Sequence, residues 1–266
     1  MIGAILGDII GSPHEFLGVK TKTFKLLDPE DNFITDDTLM TLAIAKAVLE
    51  SKKDFKLLSQ KAKQYMLEIG NQFPAGYGTK FREWLKSDDP QPYNSYGNGA
   101  AMRVSPCGMY YDHEDDVTSC SYAVTSVTHN HPEGLKAAEA TALAIFYLKQ
   151  GMDKKTLKIK MSKFYLLHDT LDEIRSDYQF TEDASETVPQ AIQSFLEGKD
   201  YIDTIRNAVS LGGDADTLAC IAGALAGVYY GIPKKLYMLL DSYVYDDTLL
   251  RIINQFEKVI PTKIIE

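Results

Sequence analysis

The sequence predicts an all-α fold, and three observations carry that expectation. Apolar residues recur at steps of three and four, as the buried face of a helix requires. Alternating apolar and polar runs bounded by hairpin-turn residues are hard to find. Two segments also place small residues at every fourth position, a strip along one helix face.

Taken along the chain, the first strip is Gly3, Gly7 and Gly11 in the apolar N-terminal segment. Leu39, Leu42, Ala43 and Leu49 give a helix behind Thr35–Thr38, and Leu135, Ala138, Ala142 and Phe146 give another. Ile192, Phe195 and Leu196 repeat the spacing after Thr187 and Pro189, which read as a cap and an early-helix proline. Ile202, Ile205, Ala208 and Val209 follow, closed by Gly212 and Gly213. The second strip, Ala219, Gly223, Gly227 and Gly231, lies in the uncharged stretch from Thr217 to Pro233. Glycine costs about 1 kcal/mol in a helix interior, so repetition points to close backbone approach or to a small-residue core. Either way both helices are expected to be central. Residues 12–32 and 86–99 read as loops of the length that often carries function. No repeat or linker divides the chain, so one domain spans 1–266.

A chain of 266 residues with 45% hydrophobic content can bury a substantial core. Net charge is −9, which disfavours nucleic acid and anionic membranes as partners. Cys107, Cys120 and Cys220 form no CxxC pair and no even set, which fits a reducing compartment. The apolar N-terminus lacks a basic flank and Asp8 interrupts it, so it does not read as a signal peptide. The uncharged stretch near the C-terminus falls short of the roughly 20 residues of a spanning helix. The expectation is a soluble cytoplasmic protein, with a monomer favoured and the oligomeric state open.

Four motifs carry chemistry. In ITDDTL, Thr35, Asp36, Asp37 and Thr38 open a helix, and a helix cap accounts for one of them. Two adjacent carboxylates exceed what a cap needs and converge only where the backbone leaves the helix. In LGGDADTLA, Asp214 and Asp216 alternate before Thr217, which in an extended segment puts both carboxylates on one side. Such oxygen donors suit Mg²⁺ or Mn²⁺ and suit zinc poorly, and two clusters could supply a two-metal site. In SYGNGAAMR, Ser95, Tyr96, Gly97, Asn98 and Gly99 form a glycine turn that reads either as an anion nest or as a helix-start loop. In SVTHNHPEG, His129 and His131 read as ligand contacts or as a cap, with too few nitrogen or sulfur partners nearby for zinc.

Together GAILGDIIGSPHE, ITDDT, SYGNGAAMR, THNHP and GGDADTLACIAGALAG resemble the ADP-ribosylglycohydrolases, in that family's order and over nearly the whole chain. The resemblance implies a compact single-domain, all-α orthogonal bundle with two Mg²⁺ or Mn²⁺ ions. It implies hydrolysis of the bond between ADP-ribose and an acceptor, on an ADP-ribosylated protein or an ADP-ribose ester. The implied metal ligands are Thr35, Asp36, Asp37, Asp214, Asp216 and Thr217, and the implied catalytic residues are Glu15, Asp36 and Asp216. Ser95–Gly99 would cradle the diphosphate and ribose, with His129 beside them. Some arginine-specific members carry an aspartate three residues before the asparagine of the glycine turn. Ser95 stands there in this chain, which resembles the branch acting on O-linked ADP-ribose. Two other readings share these residues: a metal-dependent hydrolase of a different phosphorylated small molecule, and a crystallin-like member of the fold without turnover.

Overall fold

The computed structural model describes residues 1–167 and 170–266. The order begins with α1 (Ile2–Gly11), α2 (Asp36–Ser51), α3 (Phe55–Gln72), α4 (Thr79–Lys86), α5 (Ser105–Tyr110), α6 (Glu114–Thr125) and α7 (Pro132–Lys149). It continues with α8 (Lys154–Met161), α9 (Asp172–Arg175), α10 (Ala184–Glu197), α11 (Tyr201–Val209), α12 (Ala215–Tyr229), α13 (Lys234–Tyr237) and α14 (Asp247–Val259). Among the described residues the strands are two short segments, β1 (Ile232–Pro233) and β2 (Ile264–Ile265), paired in parallel. The protein is an all-α domain, as the periodicity predicts. None of the described helices is long and apolar enough to cross a membrane. All three cysteines are buried and unbridged.

Every residue of α1 is buried, and α1 lies antiparallel against α12, with α2, α7, α10 and α11 also packed on α12. The two small-residue strips face each other. A Cβ on Gly3 would overlap the carbonyl of Gly223, and one on Gly7 would come within 2.6 Å of the Ala219 carbonyl carbon. On Gly11 it would meet the Ala215 carbonyl carbon at 2.8 Å. The strips therefore mark backbone contact between helices, the more specific of the two readings. Gly231 belongs to the turn beyond α12, with φ +97°.

One helix start differs from the sequence expectation. Helix α10 begins at Ala184, so Thr187 and Pro189 lie inside it rather than opening it. Asp183 is the cap and accepts from the Ser185 amide. The loop after α1 is tied back to it: Asn32 donates to the Ile9 carbonyl at 2.7 Å, and Ser12 Oγ accepts from the Phe33 amide.

Candidate active site

The site is built where α1, α2 and α12 meet. On α1, Asp8 is buried among apolar neighbours and binds the start of α2. Its carboxylate accepts from the amides of Thr35 and Thr38, both at 3.1 Å, and from both threonine hydroxyls. The glycine face of α1 brings the first turn of α12 into backbone contact at Gly11. One helix thus fixes the N-terminal ends of two others. Thr217 Oγ1 donates to Asp37 Oδ1 at 3.2 Å and joins the two acidic clusters directly.

Capping does not account for the carboxylates. At α2 the cap is Thr35, whose Oγ1 accepts from the Asp37 amide, which leaves Asp36 and Asp37 over. At α12 the capping position is Asp214, which makes no side-chain cap bond and instead accepts from Asn98 Nδ2 at 2.7 Å. Asp216 lies within the first turn of α12 and not in an extended segment, so the expected alternation is absent. The two side chains converge all the same, because Asp214 sits just outside the helix and Asp216 just inside it. Glu15, Asp214 and Asp216 bring one carboxylate oxygen each to within 4.8 Å of one another.

A cleft of about 730 Å³ opens on these groups. Glu15, Asp36, Asp37, Asp216 and Thr217 line one part of it; Ser95–Gly99 and His129 line another. Thr35 and Asp214 are buried and do not line it. Among the described residues no ion pair engages any of the five acids Glu15, Asp36, Asp37, Asp214 and Asp216. Burial, and then the charges of Asp214 and Asp36, push Glu15 up to about 7. Burial, and then Asp8 and Asp214, push Asp36 up to about 7. Asp37 and Asp216 are raised well above the usual carboxylate range by burial first and neighbouring acids second. Asp37 Oδ2 is buried with no partner. Hard oxygen donors, mutual repulsion and an orphaned oxygen together fit divalent cations.

The glycine turn is not an open backbone nest. Gly97 donates to Ser95 Oγ, Asn98 to the Glu182 carbonyl and Ala100 to the Gly97 carbonyl. Asn98–Ala100 form a 3₁₀ turn, and Gly97 pairs with Asp183 in an isolated antiparallel bridge. These three amides are therefore engaged within the protein rather than turned to a ligand. Of the two histidines, His131 caps α7 and accepts from the Glu133 amide. His129 is buried on the cleft wall, where burial and Arg103 lower its pKa well below the usual range. Sequence reasoning assigned nothing to Asp8, Tyr77, Tyr93, Arg103 or Glu182, although the last four line the cleft. Asp8 had a readable signal: an acid at helical register inside an otherwise apolar segment.

A helical domain whose cleft opens on a cluster of carboxylate and hydroxyl oxygens at paired helix starts has the build of a hydrolase that works through bound cations or carboxylate pairs. The sequence profile of the ADP-ribosylglycohydrolases matches residues 1–263, and the chain belongs to that family of hydrolases. It is 27% identical to human ADP-ribosylhydrolase ARH3, over 97% of this chain and 93% of that protein. It is 28% identical to the ADP-ribosyl-[dinitrogen reductase] glycohydrolase of Rhodospirillum rubrum, over 87% of this chain and 84% of that one. A solved ADP-ribosylglycohydrolase-related protein complex includes a chain that superposes with a TM-score of 0.69 at 25% identity, covering 97% of this chain and 95% of that chain.

Proposed function

We propose that the protein is a divalent-cation-dependent ADP-ribosyl hydrolase that cuts the bond between the anomeric carbon of ADP-ribose and its acceptor. The observation that carries this reading is the cluster of carboxylates that, among the described residues, no ion pair engages, with Asp37 Oδ2 buried and left without any hydrogen-bond partner. Two Mg²⁺ or Mn²⁺ ions would be held by Thr35, Asp36, Asp37, Asp214, Asp216 and Thr217. Bound there, they supply charge stabilisation and a template for substrate. Ser95–Gly99 and His129 bind the diphosphate and ribose from the adjoining wall. Glu15, at the junction of the cluster and the cleft, takes the proton of the attacking water as the bond from the anomeric carbon to the acceptor breaks, and returns it to the acceptor, which leaves protonated, with Asp36 and Asp216 holding the reacting end in place. The test is turnover of ADP-ribosylated serine, arginine and acetyl ester, with Mg²⁺, Mn²⁺ or chelator. Turnover that persists undiminished in chelator defeats the cation dependence, and failure on all three substrates defeats the ADP-ribosyl assignment.

Glu15→Ala is expected to lower kcat by about a hundredfold or more, the usual worth of a positioned general base. The affinity for free ADP-ribose should fall much less, so that the loss sits in kcat and not in binding. Equal losses in kcat and affinity would move Glu15 to a binding role.

O-linked ADP-ribose is the preferred substrate in this reading. Ser95 offers a neutral hydroxyl, whereas a guanidinium leaving group favours a planar carboxylate partner. Asp88 and Asp89 do not line the cleft, and Asp89 pairs with Lys63 at 3.8 Å. Asp183 is engaged as the α10 cap. Ser95→Asp is expected to raise the ratio of arginine-linked to O-linked turnover at matched cation concentration. A strong arginine preference in the wild type would overturn the O-linked reading and point to Glu182 on the same wall.

A further inference from the structure

Behind the glycine turn lies a buried cation that the proposed chemistry does not use. Arg103, 1% exposed, faces no carboxylate among its hydrogen-bond partners, and its Nε is buried without any partner. One terminal nitrogen donates to Thr128 Oγ1 at 2.5 Å and lies 3.4 Å from His129 Nδ1. Thr128 Oγ1 is itself 2.8 Å from His129 Nδ1.

These contacts determine where the histidine proton sits. A guanidinium has donors only, so nothing on Arg103 can accept from Nδ1. Thr128 Oγ1 accepts from Arg103 and has two acceptors within reach of its single proton, His129 Nδ1 at 2.8 Å and the Thr125 carbonyl at 3.4 Å; the shorter contact, and the Arg103 N–H donors 3.4 Å from Nδ1 that would repel a second proton there, favour the first. His129 Nδ1 therefore accepts, and in the neutral ring the proton rests on Nε2. The opposite edge of the ring faces the glycine turn. A Cβ added at Gly99 would stand 3.2 Å from Nε2, and one at Gly97 would stand 3.9 Å away. Among the described residues the hydrogen-bond contacts of the His129 ring are both at Nδ1, and His129 lines the cleft.

We infer that Arg103 and Thr128 are positioning residues that lock His129 as the Nε2–H tautomer and so present a neutral N–H donor to an anionic phosphate oxygen at the glycine turn. The identity of that anion, the diphosphate of ADP-ribose, rests on the proposed function; the lock itself does not. Hydrogen bonds in series polarise one another, so the cation strengthens the donor without placing a charge at the cleft surface. The absence of a side chain at Gly99 keeps the donor uncovered.

The lock is read directly from long-range ¹H–¹⁵N correlations of the histidine ring in the wild-type protein at pH 7. The expected spectrum has a pyrrole-like Nε2 and a pyridine-like Nδ1 for His129. A protonated Nδ1, or an imidazolium, overturns the inference without any variant having to fold. Thr128→Val removes the relay hydroxyl at similar volume and is expected to mix the tautomers and weaken ADP-ribose by about tenfold, the lower end for a hydrogen bond to a charged group. Thr128→Ser, which restores the hydroxyl, is expected to restore both. Wild-type tautomer and affinity in Thr128→Val would overturn the positioning role. A locked tautomer in a wild-type protein that fails to bind ADP-ribose would uphold the lock and count against the proposed substrate.

Discussion

Replacing Asp216 with alanine is expected to lower turnover of ADP-ribosylated substrates by at least about a hundredfold. Residues that merely support a metal's ligands are worth roughly ten- to a hundredfold, and Asp216 belongs to the cluster itself. The fold should survive, because in the cation-free protein this carboxylate is a burden. Its pKa is raised well above the usual range by burial, then by the charge of Asp214. A carboxyl raised on folding contributes stability below its unfolded pKa of about 3.9 and loses that contribution as pH climbs through the folded value. Asp216→Asn is therefore expected to raise the melting temperature in chelator at pH 8 and to leave it nearly unchanged at pH 4. Wild-type turnover in Asp216→Ala would remove the cation mechanism. A lower melting temperature for Asp216→Asn at pH 8 would remove the electrostatic account.

The largest effect on stability is expected from Gly7→Ala. Overpacking usually costs about 1–3 kcal/mol where side chains can yield. At Gly7 the atoms in the way are the carbonyl group of Ala219 and the amide of Cys220, so the helices themselves must part. We expect a loss of about 3 kcal/mol or more, a fall in melting temperature of roughly 6–12 °C at this chain length. Gly76→Ala is the control for stability, since its added methyl meets nothing within 4 Å. A Gly7→Ala protein that melts with the control would mean that α1 and α12 are not in backbone contact.

Much of this architecture was legible in the sequence because it is periodic. A strip of small residues at every fourth position is a local pattern, and it identified both central helices. The acidic clusters were legible because they exceed what a helix cap needs. The start of α10 was misplaced because threonine and proline resemble an opening signal, while the true cap at Asp183 is bridged to the distant Gly97. Asp8 escaped for a related reason: its partners at Thr35 and Thr38 lie 27 and 30 residues away, beyond any local pattern. The closed glycine turn was also hidden, since the acceptor for the Asn98 amide is the Glu182 carbonyl. What stays invisible is pairing between segments far apart in the chain.

The contact between α1 and α12 joins residues more than 200 positions apart, and this bears on how the chain is made. On the ribosome α1 emerges first and waits for α12 through most of synthesis. Throughout that interval this apolar helix can pack on the start of α2, to which Asp8 ties it, but its glycine face stays uncovered. Completion of this central core is therefore held back until α12 appears, and contacts of such long range slow folding. The active centre, assembled on α1, is completed only once α12 has been made.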